Sequence, residues 1–167
     1  YRIDFKTEEG EQIGVKVALS STSPEGAELN FNTEVKDKDF NTVRTETLAK
    51  WQNELRKIRI YGASEEQNKI FYTGIYHMYV APSLFSDVDG TYRGADNEIH
   101  ANPGHDTYTT FSLWDTYRAK LPLMTITHPE RMDDVINTMI NICQEQGFLP
   151  IWHLWGWDNG CMVGSPG

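Results

Sequence analysis

The stretch YTTFSLWDTYR, residues 108–118, places an indole beside a carboxylate at Trp114 and Asp115. On a helix, Phe111, Trp114 and Arg118 share one face, with Asp115 one step round the same edge. A sugar ring has apolar C–H faces and hydroxyl groups, so its site needs an aromatic plate beside an ionised acceptor. Trp114 and Asp115 supply both. An ion pair between Asp115 and Arg118 in a packed helix pair explains the same residues equally well.

A second aromatic stretch, GFLPIWHLWGWDNGCMVG, occupies residues 147–164. It sets His153 and Asp158 among three tryptophans, Trp152, Trp155 and Trp157. A core that needs only volume would use Leu and Ile, because a buried indole N–H must find a hydrogen-bond partner. The pattern therefore favours a pocket wall built from His153, Trp155 and Asp158. His153 is not favoured as a metal ligand, since no His or carboxylate stands three or four residues later.

The long segment before YTTFSLWDTYR contains YRGAD, in which Arg93 precedes Asp96 by three residues. A guanidinium and a carboxylate at this spacing predict a hydrogen-bonded corner. We favour a loop staple for this pair over a pocket rim. The overlapping DVDGTYRGADNE resembles a helix-loop-helix calcium loop but has Tyr92 where the sharp turn needs glycine. A plain turn, with Asp87 and Asp89 bonding their own backbone, is favoured instead.

The composition narrows the classes of partner. The 167 residues include 24 acidic and 15 basic side chains, for a net charge of −9, and no Lys/Arg run. Such a chain repels phosphate backbones and anionic membranes, which argues against nucleic acid, whereas a neutral sugar is indifferent to the sign of the field. No apolar run is long enough to span a bilayer. GxSxG, Walker, HExxH and GxGxxG motifs are absent from the sequence.

The chain ends and the cysteines give weaker signals. Cys143 and Cys161 have no CxxC or metal-ligand spacing, and two buried free thiols are favoured over a disulfide. Residue 1 opens inside a strand pattern instead of a charged leader, and CMVGSPG does not resemble a natural end. We therefore expect an excerpt of a longer chain.

Residues 1–35 alternate in hydrophobicity and predict strands. YRIDF and IGVKVALS form a predicted hairpin across the turn TEEGEQ. SSTSPEGAE is predicted to be a loop and LNFNTEV a third strand.

After residue 39 the period becomes helical. An amphipathic helix of about five turns is predicted from a cap at Asp37 or Asp39 to Ile58, and a second from Ser64 to about Val80. Residues 81–106 are predicted to be a long functional loop. Further helices are predicted from a cap at Asp106 or Thr107 to Ala119, and from Pro129 to a left-handed cap at Gly147.

Three motifs in order, FYTGIYHMYVAPSLFSDVDGTYRGADNEIH, YTTFSLWDTYRAKLPLMTITHPER and GFLPIWHLWGWDNGCMVGSPG, closely resemble glycoside hydrolase family 92, the calcium-dependent exo-acting α-mannosidases. EVKDKDF and WQNEL fit the family's junction before its helical domain. The resemblance implies the last strands of an N-terminal β-sandwich at 1–36, a helical linker at 37–62, and the first helices of an (α/α)6 catalytic barrel at 63–167.

By the same resemblance, Trp114 and Asp115 correspond to the family's mannose-contacting pair. The residue patterns, and not the resemblance, make Arg93, Asp96, His153, Trp155 and Asp158 possible wall residues of the pocket. The implied reaction is an inverting hydrolysis that removes terminal mannose from glycans, in a protein secreted or placed in the periplasm or at the cell surface. The resemblance also implies Ca²⁺. The catalytic acid and base and most calcium ligands are expected beyond residue 167, so no catalytic or metal-ligating residue is assigned within the chain.

The chain departs from the commoner family pattern at Trp157 and Asp158, where an Asn-Glu pair is expected. This departure bears on linkage preference and keeps open a non-catalytic carbohydrate-binding or structural relative. Resemblance of architecture alone leaves a different (α/α)6 glycosidase as a third alternative. The oligomeric state is left open by the sequence.

Overall fold

The computed structural model describes residues 2–164, a mixture of helices and short antiparallel strands. The helices are α1 (Pro24–Glu34), α2 (Phe40–Leu55), α3 (Glu65–Tyr79), α4 (Leu113–Thr116), α5 (Lys120–Thr127) and α6 (Pro129–Gln146). The strands are β1 (Ser83–Leu84), β2 (Tyr92–Arg93), β3 (Ile99–His100), β4 (Tyr108–Thr109), β5 (Phe111–Ser112), β6 (Trp152–Leu154) and β7 (Trp157–Asp158).

The three longest helices confirm the sequence predictions. Asp39 caps α2 by accepting from the Thr42 N–H, and Ser64 with Gln67 forms a capping box at the start of α3. Pro129 opens α6, and Gly147 closes it in the left-handed conformation at φ 90°. These ends were predictable because caps depend on a few adjacent residues.

The strand predictions for residues 1–35 are wrong for the part of the chain that the structure describes. Residues 2–22 carry no strand, and the alternating Val15, Val17 and Leu19 are 73%, 73% and 74% exposed. A strand needs a neighbour to pair its backbone groups. The end of SSTSPEGAE instead begins α1, because Ser23 caps the helix and Pro24 stands in its first turn. LNFNTEV continues this helix up to its C-cap at Val35.

The helix predicted from Asp106 or Thr107 to Ala119 is also wrong over its first half. Tyr108–Thr109 and Phe111–Ser112 are strands, and only the single turn α4 follows before Tyr117. The strand partners lie far away in sequence, at Ser83–Leu84 and Trp152–His153. Tertiary pairing therefore overrides the local helical spacing.

Within residues 2–164, three small antiparallel sheets follow the helices α2 and α3. The first pairs β1 with β4, the second pairs β2 with β3, and the third has the order β5-β6-β7. A hydrophobic cluster lies between the β4–β5 segment, α5 and α6; its buried members are Tyr108, Phe111, Leu113, Met124, Met132, Val135 and Ile142. Much of α2 stays in water, where Phe40 is 78% exposed.

A buried carboxylate joins the N-terminal segment to the loop before β2. One oxygen of Asp87 accepts from the hydroxyls of Ser20 and Thr22, each at 2.6 Å, and the other accepts from the Asn30 amide at 2.7 Å. Asn30 in turn accepts from the Val88 N–H at 2.9 Å. Asp89 forms the predicted local turn through Thr91, whereas the prediction for the Asp87 side chain is wrong.

The helix α2 is held to the junction of α5 and α6 by charge-assisted hydrogen bonds. Glu54 contacts the buried His128 ring at 2.7 Å and the Arg131 guanidinium at 3.0 Å. Lys57 approaches the same carboxylate at 3.1 Å.

The division at residues 36 and 62, with its sandwich and barrel, stays a prediction. Cys143 and Cys161 are free thiols as expected, but neither is buried: Cys143 is half-buried and Cys161 is exposed. In the described residues, none of the helices combines the length and apolar character that crossing a membrane requires.

A Gly26→Ala substitution is expected to destabilise the N-terminal junction. Its new Cβ would lie 2.5 Å from an Asp87 carboxylate oxygen and 2.7 Å from the Ser20 hydroxyl. Overpacking of this kind costs about 1–3 kcal/mol. Urea unfolding of the full-length parent measures the loss, and Gly74→Ala, whose Cβ meets nothing within 4 Å in α3, is the control. Equal stability of the two variants would contradict the Asp87 junction.

Candidate functional site

The third sheet has an inward row and an outward row of side chains. Phe111, His153 and Asp158 are paired across its strands and point to one face. Phe111 is 3% exposed and His153 is 2% exposed, so this face is the interior one. Because side chains alternate along a strand, Ser112, Trp152, Leu154 and Trp157 point to the opposite, outward face.

Trp114 and Asp115 stand where β5 turns into α4, at the edge of the outward row. The Asp115 carboxylate accepts from the hydroxyl of Ser112 and is exposed, and Trp114 is 37% exposed. Arg118 donates to the hydroxyl of Tyr117 at 3.0 Å, so the alternative ion pair between Asp115 and Arg118 is not formed. The acid and the indole therefore both remain accessible to a ligand.

Two residues next to the strands of the third sheet have left-handed backbone conformations. Thr110, between β4 and β5, has φ 68°, and Trp155, at the tip of the β6–β7 hairpin, has φ 54°. A β-branched residue in the left-handed region is an outlier that persists only when the surroundings enforce it. The buried Thr109, which precedes Thr110, is held by two contacts. It pairs with Ser83 in the first sheet, and its hydroxyl accepts from the Trp155 N–H at 2.8 Å.

His153 lies inside the protein and does not line the outward surface. Its Nδ1 is 3.4 Å from the Thr109 hydroxyl, while its Nε2 has no hydrogen-bond partner within the described residues. Burial lowers the pKa of His153 to about 4, and the nearby Asp158 carboxylate offsets only part of that effect. His153 is thus a neutral interior group that supports the sheet.

Asp158 secures the hairpin through backbone hydrogen bonds. One oxygen accepts from the N–H groups of Ile151 at 2.7 Å and Trp152 at 3.1 Å, and the other accepts from Gly160 at 2.9 Å. Three N–H donors occupy the carboxylate, so its work in this structure is to hold the loop ends.

Arg93 and Asp96 take separate partners, and the direct corner between them is not formed. Arg93 donates to the backbone carbonyl oxygens of Ser21 at 2.7 Å and Asn97 at 3.0 Å. Asp96 lies 3.0 Å from the His100 ring, which lowers the pKa of the Asp96 carboxyl. Arg93 is a loop staple. The tip of the β6–β7 hairpin lies close to its backbone, since a Cβ added to Gly156 would be 3.6 Å from the Arg93 carbonyl oxygen.

Sequence reasoning missed Thr109 and Ser112, which position the candidate site. Ser112 holds Asp115, and Thr109 holds the Trp155 backbone. A signal existed in the run Tyr108–Ser112, whose aromatic and β-branched residues favour strands. The two exposed tryptophans of the hairpin have different positions. Trp157 belongs to the outward row, and Trp155 lies in the turn at the hairpin tip.

The family resemblance implies Ca²⁺, which would need oxygen ligands from side chains that lie close together. Across residues 2–164, no group of three or more His, Cys, Asp and Glu side chains gathers in a metal-binding arrangement. Calcium prefers six to eight oxygen ligands. The described residues alone do not supply such a shell.

Stability is expected to fall between pH 6.5 and pH 4 because of His153. Its folded pKa of about 4 lies below the ordinary value of 6.5, so the unfolded chain binds more protons in that window and acid favours unfolding. His153→Phe removes this titration. Urea midpoints of the full-length parent and the variant, compared at pH 7.5 and at pH 4.5, measure it. An equal pH dependence in both proteins would contradict the assignment, and their comparison above pH 7 is the control.

Comparison with known proteins places this geometry in context. The family model described as the glycosyl hydrolase family 92 catalytic domain matches residues 26–167. A search of curated proteins gives no match.

Solved structures align over most of the chain. The family GH92 alpha-mannosidase BT3965 from Bacteroides thetaiotaomicron has a TM-score of 0.82 and 36% sequence identity, over 87% of this chain and 20% of that one. A second structure of the same protein, in complex with mannoimidazole, also gives 0.82 and 36%, over 87% and 19% of the two chains. The GH92 family glycosyl hydrolase ccman5 gives 0.71 and 27%, over 76% and 17%.

The chain therefore spans about a fifth of the length of the solved relatives it matches first. The family model covers well over half of the 167 residues. The chain belongs to glycoside hydrolase family 92.

Proposed function

We propose that this chain is part of an exo-acting, inverting α-mannosidase that hydrolyses terminal mannose from glycans. Membership of family 92 and the similarity to a GH92 alpha-mannosidase, one of whose structures contains mannoimidazole, support this proposal. The chain's share of the work is to bind the terminal sugar.

The accessible pair at the start of α4 carries the proposal. Trp114 presents an apolar plate for the C–H face of the sugar, and the Asp115 carboxylate accepts hydrogen bonds from its hydroxyls. Ser112 fixes the Asp115 carboxylate on the outward side of the sheet before the ligand arrives. Preorganisation of this kind reduces the entropy that binding would otherwise cost.

Inversion requires an acid for the leaving oxygen and a base for the attacking water, about 6.5–9.5 Å apart. His153 is buried and Asp158 is occupied by backbone donors. We therefore assign both roles to residues of the parent protein outside this chain. Within the chain, binding and orientation of the terminal sugar are the contributions to catalysis.

Calcium and export are parts of the same proposal and rest on the family resemblance. Calcium would act on the sugar hydroxyls as a template, held mainly by residues of the parent outside this chain. The parent is proposed to be secreted or placed in the periplasm or at the cell surface.

Asp115→Asn in the full-length parent is expected to lower kcat/KM on aryl α-mannosides by roughly 100-fold, because a charged acceptor is replaced by a neutral amide at a site that orients the substrate. Asp133→Asn, at an exposed position on α6, is the control and should retain activity. Release of mannose is the measurement. Full activity of the Asp115 variant would show that this pair does not bind the reacting sugar.

Removal of divalent cations tests the calcium part separately. A chelator is expected to abolish mannose release by the parent, and added Ca²⁺ should restore it. A parent that releases no mannose at any calcium concentration but still binds mannose would be the non-catalytic relative, and the hydrolase proposal would be wrong.

A further inference from the structure

Trp157 is a large apolar side chain in water, on the same face of the sheet as the candidate sugar site. It is 52% exposed and belongs to the outward row with Ser112 and Trp152. Burial of an indole is strongly favourable, so an exposed one beside a polar site is a candidate contact.

The register of the sheet fixes where Trp157 lies relative to Asp115. Trp152 is the direct partner of Ser112, which holds Asp115, and Trp157 is one strand further away and two residues along. From strand spacing and rise, the Cα atoms of Ser112 and Trp157 are separated by roughly 12 Å. The path from Asp115 across the outward row thus passes Trp152 before it reaches Trp157.

The hairpin that carries Trp157 is held from three sides. The Trp155 N–H bonds to Thr109, and the Gly156 Cβ position lies 3.8 Å from the Phe85 ring. Asp158, the next residue, accepts three backbone N–H groups. The backbone that carries Trp157 is therefore held in place before a ligand binds, which lowers the entropy cost of binding.

The chemistry of the row suits an uncharged ring with apolar faces. Trp152 and Trp157 offer indole surfaces, and the exposed Asn159 adds a neutral amide that already donates to the Trp152 carbonyl at 3.1 Å. A net charge of −9 does not oppose a neutral ligand.

We infer that Trp157 is a specificity-determining residue that stacks on the sugar unit following the terminal mannose. The terminal sugar occupies Trp114 and Asp115, and the rest of the glycan runs across Trp152 to Trp157. This inference rests on the proposed function and extends it to substrates of two or more sugars. Coverage of Trp157 by other parts of the parent protein is the competing explanation.

The test compares two substrates in the full-length parent. α-Mannosyl fluoride has no second sugar, whereas mannobiose of the linkage that the parent hydrolyses fastest has one. Trp157→Ala is expected to lower kcat/KM for mannobiose about tenfold, with the fluoride changed by less than about twofold. Trp157→Phe, which keeps an aromatic ring, should recover part of the loss. Tyr61→Ala, at a side chain 86% exposed, is the matched control.

The outcomes separate the two proposals. Equal effects on both substrates, or no effect on either, would overturn the role of Trp157 while leaving the hydrolase proposal intact. A loss of thermal stability in Trp157→Ala with no selective effect would identify the competing coverage by the parent. If the parent hydrolyses neither substrate, the proposed function fails, and calorimetric titration with mannobiose and mannose decides the inference: Trp157→Ala should weaken only mannobiose binding, and an unchanged affinity would refute it.

Discussion

The pairing of β5 with β6 is the constraint on which the candidate site depends. It joins Phe111 to His153 across a wide gap in sequence and buries both side chains. With that row inside, Ser112 and Trp152 must face outward, because successive residues of a strand alternate. The Ser112 hydroxyl then holds the Asp115 carboxylate, and β6 places the β6–β7 hairpin by pairing with β7.

Polar groups in the interior serve this pairing. Thr109 contacts both the Trp155 backbone and the His153 ring. Asp158 accepts from the backbone at the start of β6, and the backbone of Arg93 lies against the hairpin tip. Three of the candidate wall residues, Arg93, His153 and Asp158, thus bond to groups of the protein that hold the sheet and its hairpin in place. Such support matters for binding, because the residues that touch a ligand are positioned by the residues that hydrogen-bond and pack against them.

Sequence patterns predicted the elements whose determinants are local. Asp39, the capping box at Ser64, Pro129 and Gly147 each specify a helix end through neighbouring residues. The spacing of the β4–β5 segment fits both a helix and strands, and only its pairing with distant partners makes it strands. The N-terminal helix is hard to predict because Ser and Pro are typical of loops, whereas Ser23 and Pro24 together are also a helix start.

The candidate pair was predictable in composition but not in its surroundings. Trp114 beside Asp115 indicated a sugar site or an ion pair, and only coordinates separate the two, since Arg118 turns to Tyr117. The inward position of His153 and Asp158, and the outward position of Trp152 and Trp157, follow from the register of the sheet, which no single stretch of sequence contains.

The two-residue turn at Trp155 and Gly156 also limits how this region can diverge among homologous proteins. One inserted residue in the following strand would exchange its two faces, so that the indole entered the interior and the carboxylate reached solvent. Changes of length in this hairpin should therefore be tolerated in steps of two, or as a bulge that restores the phase. Diversification by substitution at the exposed position is open to evolution at a much lower structural cost.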